Sequence, residues 1–265
     1  MSYRLTLLGS GSSGGVPRLG NNWGACDPTN PRNRRRRCAA LVDRIAGRGR
    51  TSFLIDTPPD LREQLLDARV GAIDGVAFTH DHADHTHGID DLRILAFNMK
   101  KRVDVHFDAA TGASLKTRFG YCFESPPGSS YPPILTAHDI VPPEPITIHG
   151  AAGPIVATPV NQAHGDQMSL GFRIGDVAYS PDISGLDAAS EKLLSGLDLW
   201  VVDALRYLPH PSHFSVAEAL EWIERLKPRR AILTHLHIDL DYASLKRELP
   251  PHVEPAYDGM VVHFD

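Results

Sequence analysis

Short apolar runs, broken by glycine and proline, fill most of the chain and read as β-strands. Residues 5–8 form one run and stop at the glycine-rich segment 9–15. Residues 38–42 and 52–55 form a hairpin turned at Gly47-Arg48-Gly49, and a helix carrying Leu61, Leu65 and Leu66 follows. The run Gly75-Val76-Ala77-Phe78 predicts a buried strand, and a helical pattern resumes at Gly88, with Leu92, Leu95 and Ala96 facing inward up to residue 99. Residues 103–107 read as a strand, 109–119 as a helix and 121–133 as a long surface excursion. Strands return over 146–149, 155–160, 169–174, 177–180 and 198–203. Ser215-Val216-Ala217-Glu218 is a capping box, and Val216, Ala219, Leu220, Ile223 and Leu226 line one helical face until Pro228 ends it. The last strand is expected at 231–233. No repeat or linker divides residues 1–265, so one domain is expected.

Composition narrows the class. A chain of 265 residues, 42% hydrophobic and 22% charged, can bury a full core. The net charge of −5 argues against a general nucleic-acid coat but leaves room for a local basic patch. Cys26, Cys38 and Cys122 are too few and too scattered for a disulfide framework, which fits a reducing compartment. No apolar run approaches the roughly 20 residues of a membrane span, and no secretory leader is seen. A cytoplasmic protein without membrane contact is expected.

Candidate chemistry concentrates after the run that ends at Phe78. His80, His82, Asp84 and His85 lie within six residues, with His87 just beyond. A lone histidine is more often a satisfied structural residue. Four ligand-type side chains at the end of a buried strand are harder to explain, because burying them dry costs several kcal/mol unless each is paired or bound to metal. A tight loop can aim His80 and His82 one way and Asp84 and His85 the other, giving two half-sites. Imidazole with carboxylate suits Zn, Mn or Fe and not an all-oxygen calcium site. Other features are weaker. The glycine loop 9–15 lacks a P-loop lysine and reads first as a turn. Arg34-Arg35-Arg36-Arg37 reads as a solvated face ahead of a phosphate grip. Segment 121–133 is either a lid whose aromatics stack on substrate or a plain connection.

His80-x-His82-x-Asp84-His85 resembles the signature of the metallo-β-lactamase fold superfamily. That resemblance implies an α/β protein, an αββα sandwich of two mixed sheets packed face to face with helices outside. It implies that Asp56 orients the first metal loop without ligating. It gives His80, His82 and His164 to one metal, Asp84, His85 and His235 to the other, and Asp182 to a bridging role. Two divalent ions per chain, Mn or Zn, then activate a water and clamp the attacking and leaving oxygens of a phosphodiester in line. His237 and Asp239 have weaker claims.

From Leu8-Gly9-Ser10-Gly11-Ser12 to Tyr257-Asp258-Gly259-Met260 the chain resembles the phosphoribosyl 1,2-cyclic phosphate phosphodiesterase (PhnP-like) group. There His213 is the general acid, ahead of His210, and Asp84 shares the catalytic site. A cyclic ribose phosphate, cyclic nucleotide or similar small diester is the implied substrate. The arm that tRNA-processing relatives use is not evident, so long nucleic acid is not expected as a partner, and a homodimer is the group's expectation. Family members also carry clustered cysteines near residues 21–26 for a structural zinc, of which only Cys26 is present. The alternatives are a nuclease, thioesterase or lactonase on the same fold, a quinone-cofactor biosynthetic relative, or a non-catalytic metal module.

Overall fold

A computed structural model describes residues 2–265 and contains two seven-stranded sheets. In chain order the first sheet is built from β1 (Ser2–Gly9), β2 (Ala39–Ala46), β3 (Gly49–Ile55), β4 (Gly75–Ala77), β5 (Val103–Phe107) and β6 (Leu135–Asp139). The second holds β7 (Ile146–Ile148), β8 (Ile155–His164), β9 (Gln167–Ile174), β10 (Val177–Ser180), β11 (Leu199–Asp203), β12 (Arg230–Thr234) and β13 (Val253–Pro255). The chain then returns to the first sheet as β14 (Met260–Phe264), antiparallel to β1. Both sheets are mixed: β1 to β3 pair antiparallel and β3 to β6 parallel, while β8 to β10 pair antiparallel and β10 to β13 parallel.

Strand alternation distributes side chains among three cores. Val42, Phe53 and Ile55 meet Leu170, Phe172, Val201 and Ile232 between the sheets. On the outer face of the first sheet, Leu54, Val76 and Val105 pack under α1 (Leu61–Asp67), α3 (Leu92–Met99), α4 (Ala109–Arg118) and α5 (Gly120–Phe123), after a single turn, α2 (Ala83–Thr86). On the outer face of the second, Trp200, Val202 and Leu233 pack under α7 (Val216–Leu226) and α8 (Tyr242–Glu248), with α6 (Ala188–Leu193) beside them. This is the αββα sandwich that the resemblance implies. Among the described residues no helix is long and apolar enough to cross a membrane.

Several boundaries differ from the sequence reading, each for a tertiary reason. The chain does not end its regular structure at 233, since α8, β13 and β14 follow and close both sheets. Strand β8 continues past 160 to His164 because β9 pairs with it along Thr158–His164. The helical region begins inside the histidine loop, where His82 sits at the N-cap of α2. Leu66 faces solvent at 56% exposure, so only Leu61 and Leu65 anchor α1. The arginine run is not a solvated face. Arg35 is buried, and Arg36 and Arg37 pair with Asp258, Asp67 and Asp60. These residues brace the glycine loop, where a Cβ at Gly9 would lie 2.0 Å from the Arg37 carbonyl oxygen.

The capping box is present, with Ser215 and Glu218 satisfying each other's backbone N–H groups. Replacing Ser215 with alanine should lower unfolding free energy by about 1 kcal/mol. Metal content should not change, and denaturant titration beside elemental analysis would check both.

Candidate metal centre

Every candidate ligand leaves the end of a strand. β4 leads into His80, His82, Asp84 and His85, β8 ends at His164, β10 leads to Asp182, and β12 precedes His235. Because β10, β11 and β12 run parallel, their C-terminal ends deliver side chains to one rim, the usual place for sites in such sheets.

The donor atoms form two sets around Asp182. His80, His82, His164 and Asp182 make one group, Asp84, His85 and His235 another, and Asp182, His213 and His235 a third, each with donor atoms within 4.8 Å. Asp182 Oδ2 faces His164 Nε2 at 3.6 Å and His80 Nε2 at 3.8 Å. Its Oδ1 faces His85 Nε2 at 3.0 Å and His235 Nε2 at 3.5 Å. Asp84 Oδ2 lies 3.5 Å from both His85 Nε2 and His235 Nε2. One buried carboxylate therefore stands between two sets of imidazoles.

Outer hydrogen bonds fix which ring nitrogens face inward. Asp56 Oδ2 accepts from His85 Nδ1 at 2.8 Å and from Thr79 Oγ1 at 2.9 Å. With its proton committed to Asp56, Thr79 Oγ1 accepts from His80 Nδ1 at 3.0 Å. His164 Nδ1 donates to the Ser212 carbonyl at 2.6 Å. His80, His85 and His164 thus turn Nε2 toward the centre. Buried His80 Nε2, His85 Nε2, His235 Nε2 and Asp182 Oδ1 have no hydrogen-bond partner among the described residues. Lone pairs and carboxylate oxygens facing one another in a dry site repel unless a cation lies between them. The donor set fits divalent transition metals.

Titration follows the same field. Burial opposes charge on His85, yet Asp182, Asp84 and Asp56 together hold it well above the ordinary histidine range. Burial opposes ionisation of Asp182, but His235 and His85 hold it well below the usual carboxylate range. Burial pushes His80 well down, and His164 to about 4, so both are neutral ligands at pH 7.

Asp56 reaches one ligand in each set, His85 directly and His80 through Thr79. It follows β3 with a left-handed φ of 67°, strain held in place by the Thr79 N–H at 2.8 Å. Asp56→Asn should weaken metal binding to both sets by about 10–100-fold, whereas Thr79→Val should weaken only the set holding His80. Competition with a chromophoric chelator would read the two affinities.

His213 stands at the rim with its ring stacked on His235, centroids 4.6 Å apart. Its Nδ1 donates to Asp203 Oδ2 at 2.7 Å, leaving Nε2 free. Asp203 is the residue the sequence reading missed. Fully buried at the end of β11, it also accepts the Ile183 N–H at 3.2 Å, and burial raises it well above the usual carboxylate range. Its one sequence signal was an acid at the C-terminal end of an apolar parallel strand. His210 lies beside His213, rings 5.2 Å apart, with Nδ1 facing Ser212 and no ion pair to a carboxylate among the described residues.

The remaining candidates lie elsewhere. His237 pairs with Asp239 at 2.9 Å and contacts Arg18. His87 packs on Phe119. Cys26 sits in a small apolar cluster with Val16, Ile238 and Trp23, and belongs to none of the donor groups among the described residues. Tyr121 and Tyr131 line a groove with Arg93 and Phe97 on the helical side.

Residues 51–236 match the family model for the beta-lactamase superfamily domain, so fold and site together define a member of that superfamily. A solved diphosphatase from the PhnP family is 35% identical, covers 100% of this chain and 98% of its own, and superposes with a TM-score of 0.89. The chain belongs to the PhnP family of metallo-β-lactamase-fold proteins. It is also 32% identical to an octanoyltransferase of Porphyromonas gingivalis over 267 residues, 99% of this chain but 52% of that protein. The chain thus spans about half the length of that curated relative. Human short-form tRNase Z, 17% identical with a TM-score of 0.62, shares the fold. The chain is a metallo-β-lactamase-fold protein whose histidine and aspartate groups could hold metal ions.

Proposed function

We propose that this protein is a hydrolase that uses two divalent metals to cleave a small phosphodiester, such as a cyclic ribose phosphate or cyclic nucleotide. The observation that carries the reading is Asp182, whose two oxygens face two separate sets of inward-turned imidazoles. His80, His82 and His164 would hold one ion, Asp84, His85 and His235 the other, with Asp182 shared. Mn or Zn ions there would supply Lewis acidity toward a phosphoryl oxygen and acidify a water. Asp84, 13% exposed, is the ligand carboxylate closest to the opening and can orient a water by hydrogen bonding. His213 protonates the departing oxygen through Nε2, and Asp203 holds its ring by accepting from Nδ1. Fixed imidazoles and buried carboxylates need no reorganisation during the reaction.

The solved PhnP-family relative is named a diphosphatase, which favours a phosphoanhydride as second reading. Acyl chemistry is the third arm, because of the octanoyltransferase relative. The test is turnover by metal-replete protein, with Mn or Zn, on bis-p-nitrophenyl phosphate, a 2′,3′-cyclic nucleotide, a nucleoside diphosphate, an octanoyl thioester and a lactone. Cyclic-diester hydrolysis, lost with chelator and restored by metal, is the expected result. Turnover confined to the thioester or lactone would reject the phosphodiester reading.

A further inference from the structure

We infer that the outer face of α3 and segment 121–133 form a docking surface for an acidic, amphipathic helical segment of another protein domain. Phe97 and Tyr131 are 54% and 72% exposed here, and Ile94, one turn before Phe97, is 60% exposed. Apolar side chains of this size clustered on one face mark interaction sites more often than ordinary surface. Phe97 and Pro132 form a ridge between two grooves. One, of about 370 Å³, is floored by Tyr121 and Tyr131, and the other, of about 440 Å³, is bordered by Lys100, Lys101 and Arg102. Parallel hollows beside a ridge suit apolar anchors at i, i+3 and i+4 of a helix.

Charge selects among occupants. Lys100, Lys101 and Arg102 are all exposed, and none takes part in an ion pair among the described residues. Arg93, on the other side of the ridge, is already neutralised by Asp90 at 2.6 Å. In a chain of net charge −5 this is a local cationic rim along one groove. Carboxylates flanking the apolar anchors complement it. Self-pairing is disfavoured, because a two-fold contact presents the same cations from both copies. A concave, divided surface also suits protruding side chains better than a flat membrane. The octanoyltransferase relative carries nearly as much chain again beyond the region matched here, so this fold occurs joined to further protein.

The test is fluorescence anisotropy with a labelled helical peptide bearing leucines at helical spacing and glutamates elsewhere. The intact metal-loaded protein should bind it saturably and at least about tenfold more tightly than a lysine-for-glutamate version. Phe97→Glu and the Lys100→Glu, Lys101→Glu pair should each weaken binding by about tenfold or more, with hydrolysis unchanged. The exposed lysine pair covers the case in which the Phe97 variant misfolds. Absent binding or equal binding of both peptides overturns the inference. So does co-sedimentation with phosphatidylglycerol vesicles, or self-association in sedimentation velocity that Phe97→Glu removes, each lost with the same residues.

Discussion

Replacing Asp182 with alanine is expected to empty both halves of the metal centre and abolish hydrolysis. Its two oxygens are divided, Oδ2 toward His80 and His164, Oδ1 toward His85 and His235, and among the described residues no other ligand carboxylate faces both sets. Removing it leaves five imidazoles, four of them buried, and Asp84, with no ligand carboxylate between the two positions. The lost affinity should exceed the 10–100-fold typical of an outer hydrogen-bonding partner, and should be felt at both ions. His164→Ala gives the contrast. It removes one terminal donor from the set holding His80 and His82, so one ion should leave while the other stays near its original affinity. Elemental analysis after dialysis at limiting metal separates the outcomes. Metal-replete wild-type protein should hold close to two ions per chain. Asp182→Ala retaining one tight ion would show that the carboxylate serves a single site.

Much of this centre was legible in the sequence because its first half is contiguous. His80, His82, Asp84 and His85 need only one strand end and one turn to come together, so local spacing carries the information. His164, Asp182 and His235 lie on separate strands, and family resemblance located them by order and strand-end position. What stayed hidden depends on packing across the chain. Asp203 has no motif of its own, and its role follows from His213, ten residues later, returning over the end of β11. Thr79 reads as an ordinary loop residue until its hydroxyl donates to Asp56 and leaves the oxygen as an acceptor for His80. Arg35 reads as solvated because four arginines in a row normally are, yet the Cys26 sulfur and the His237 carbonyl enclose its guanidinium. Likewise β13 is short and flanked by proline, so strand length gave it no signal.

His213→Ala separates proton transfer from metal binding and is expected to cost about 10²–10⁴-fold in turnover, a range typical of general acids. The variant should keep both ions, because the five ligand histidines, Asp84 and Asp182 all remain. The loss should depend on the leaving group. A ribose alkoxide must be protonated as it departs and should show the full effect. p-Nitrophenolate leaves readily as an anion and should show little. Asp203→Asn should lie between wild type and His213→Ala on the ribose substrate. The asparagine keeps the space but can turn its amide NH2 toward Nδ1, so the acid is misoriented without being removed. Because His213 and Asp203 act through one proton, the double variant should be no slower than His213→Ala alone. Equal losses on both leaving groups, or loss of metal from His213→Ala, would assign His213 to binding and leave the proton donor elsewhere. Additive losses in the double variant would uncouple Asp203 from His213 and confine it to supporting His235, whose Nδ1 lies 3.9 Å from Asp203 Oδ1.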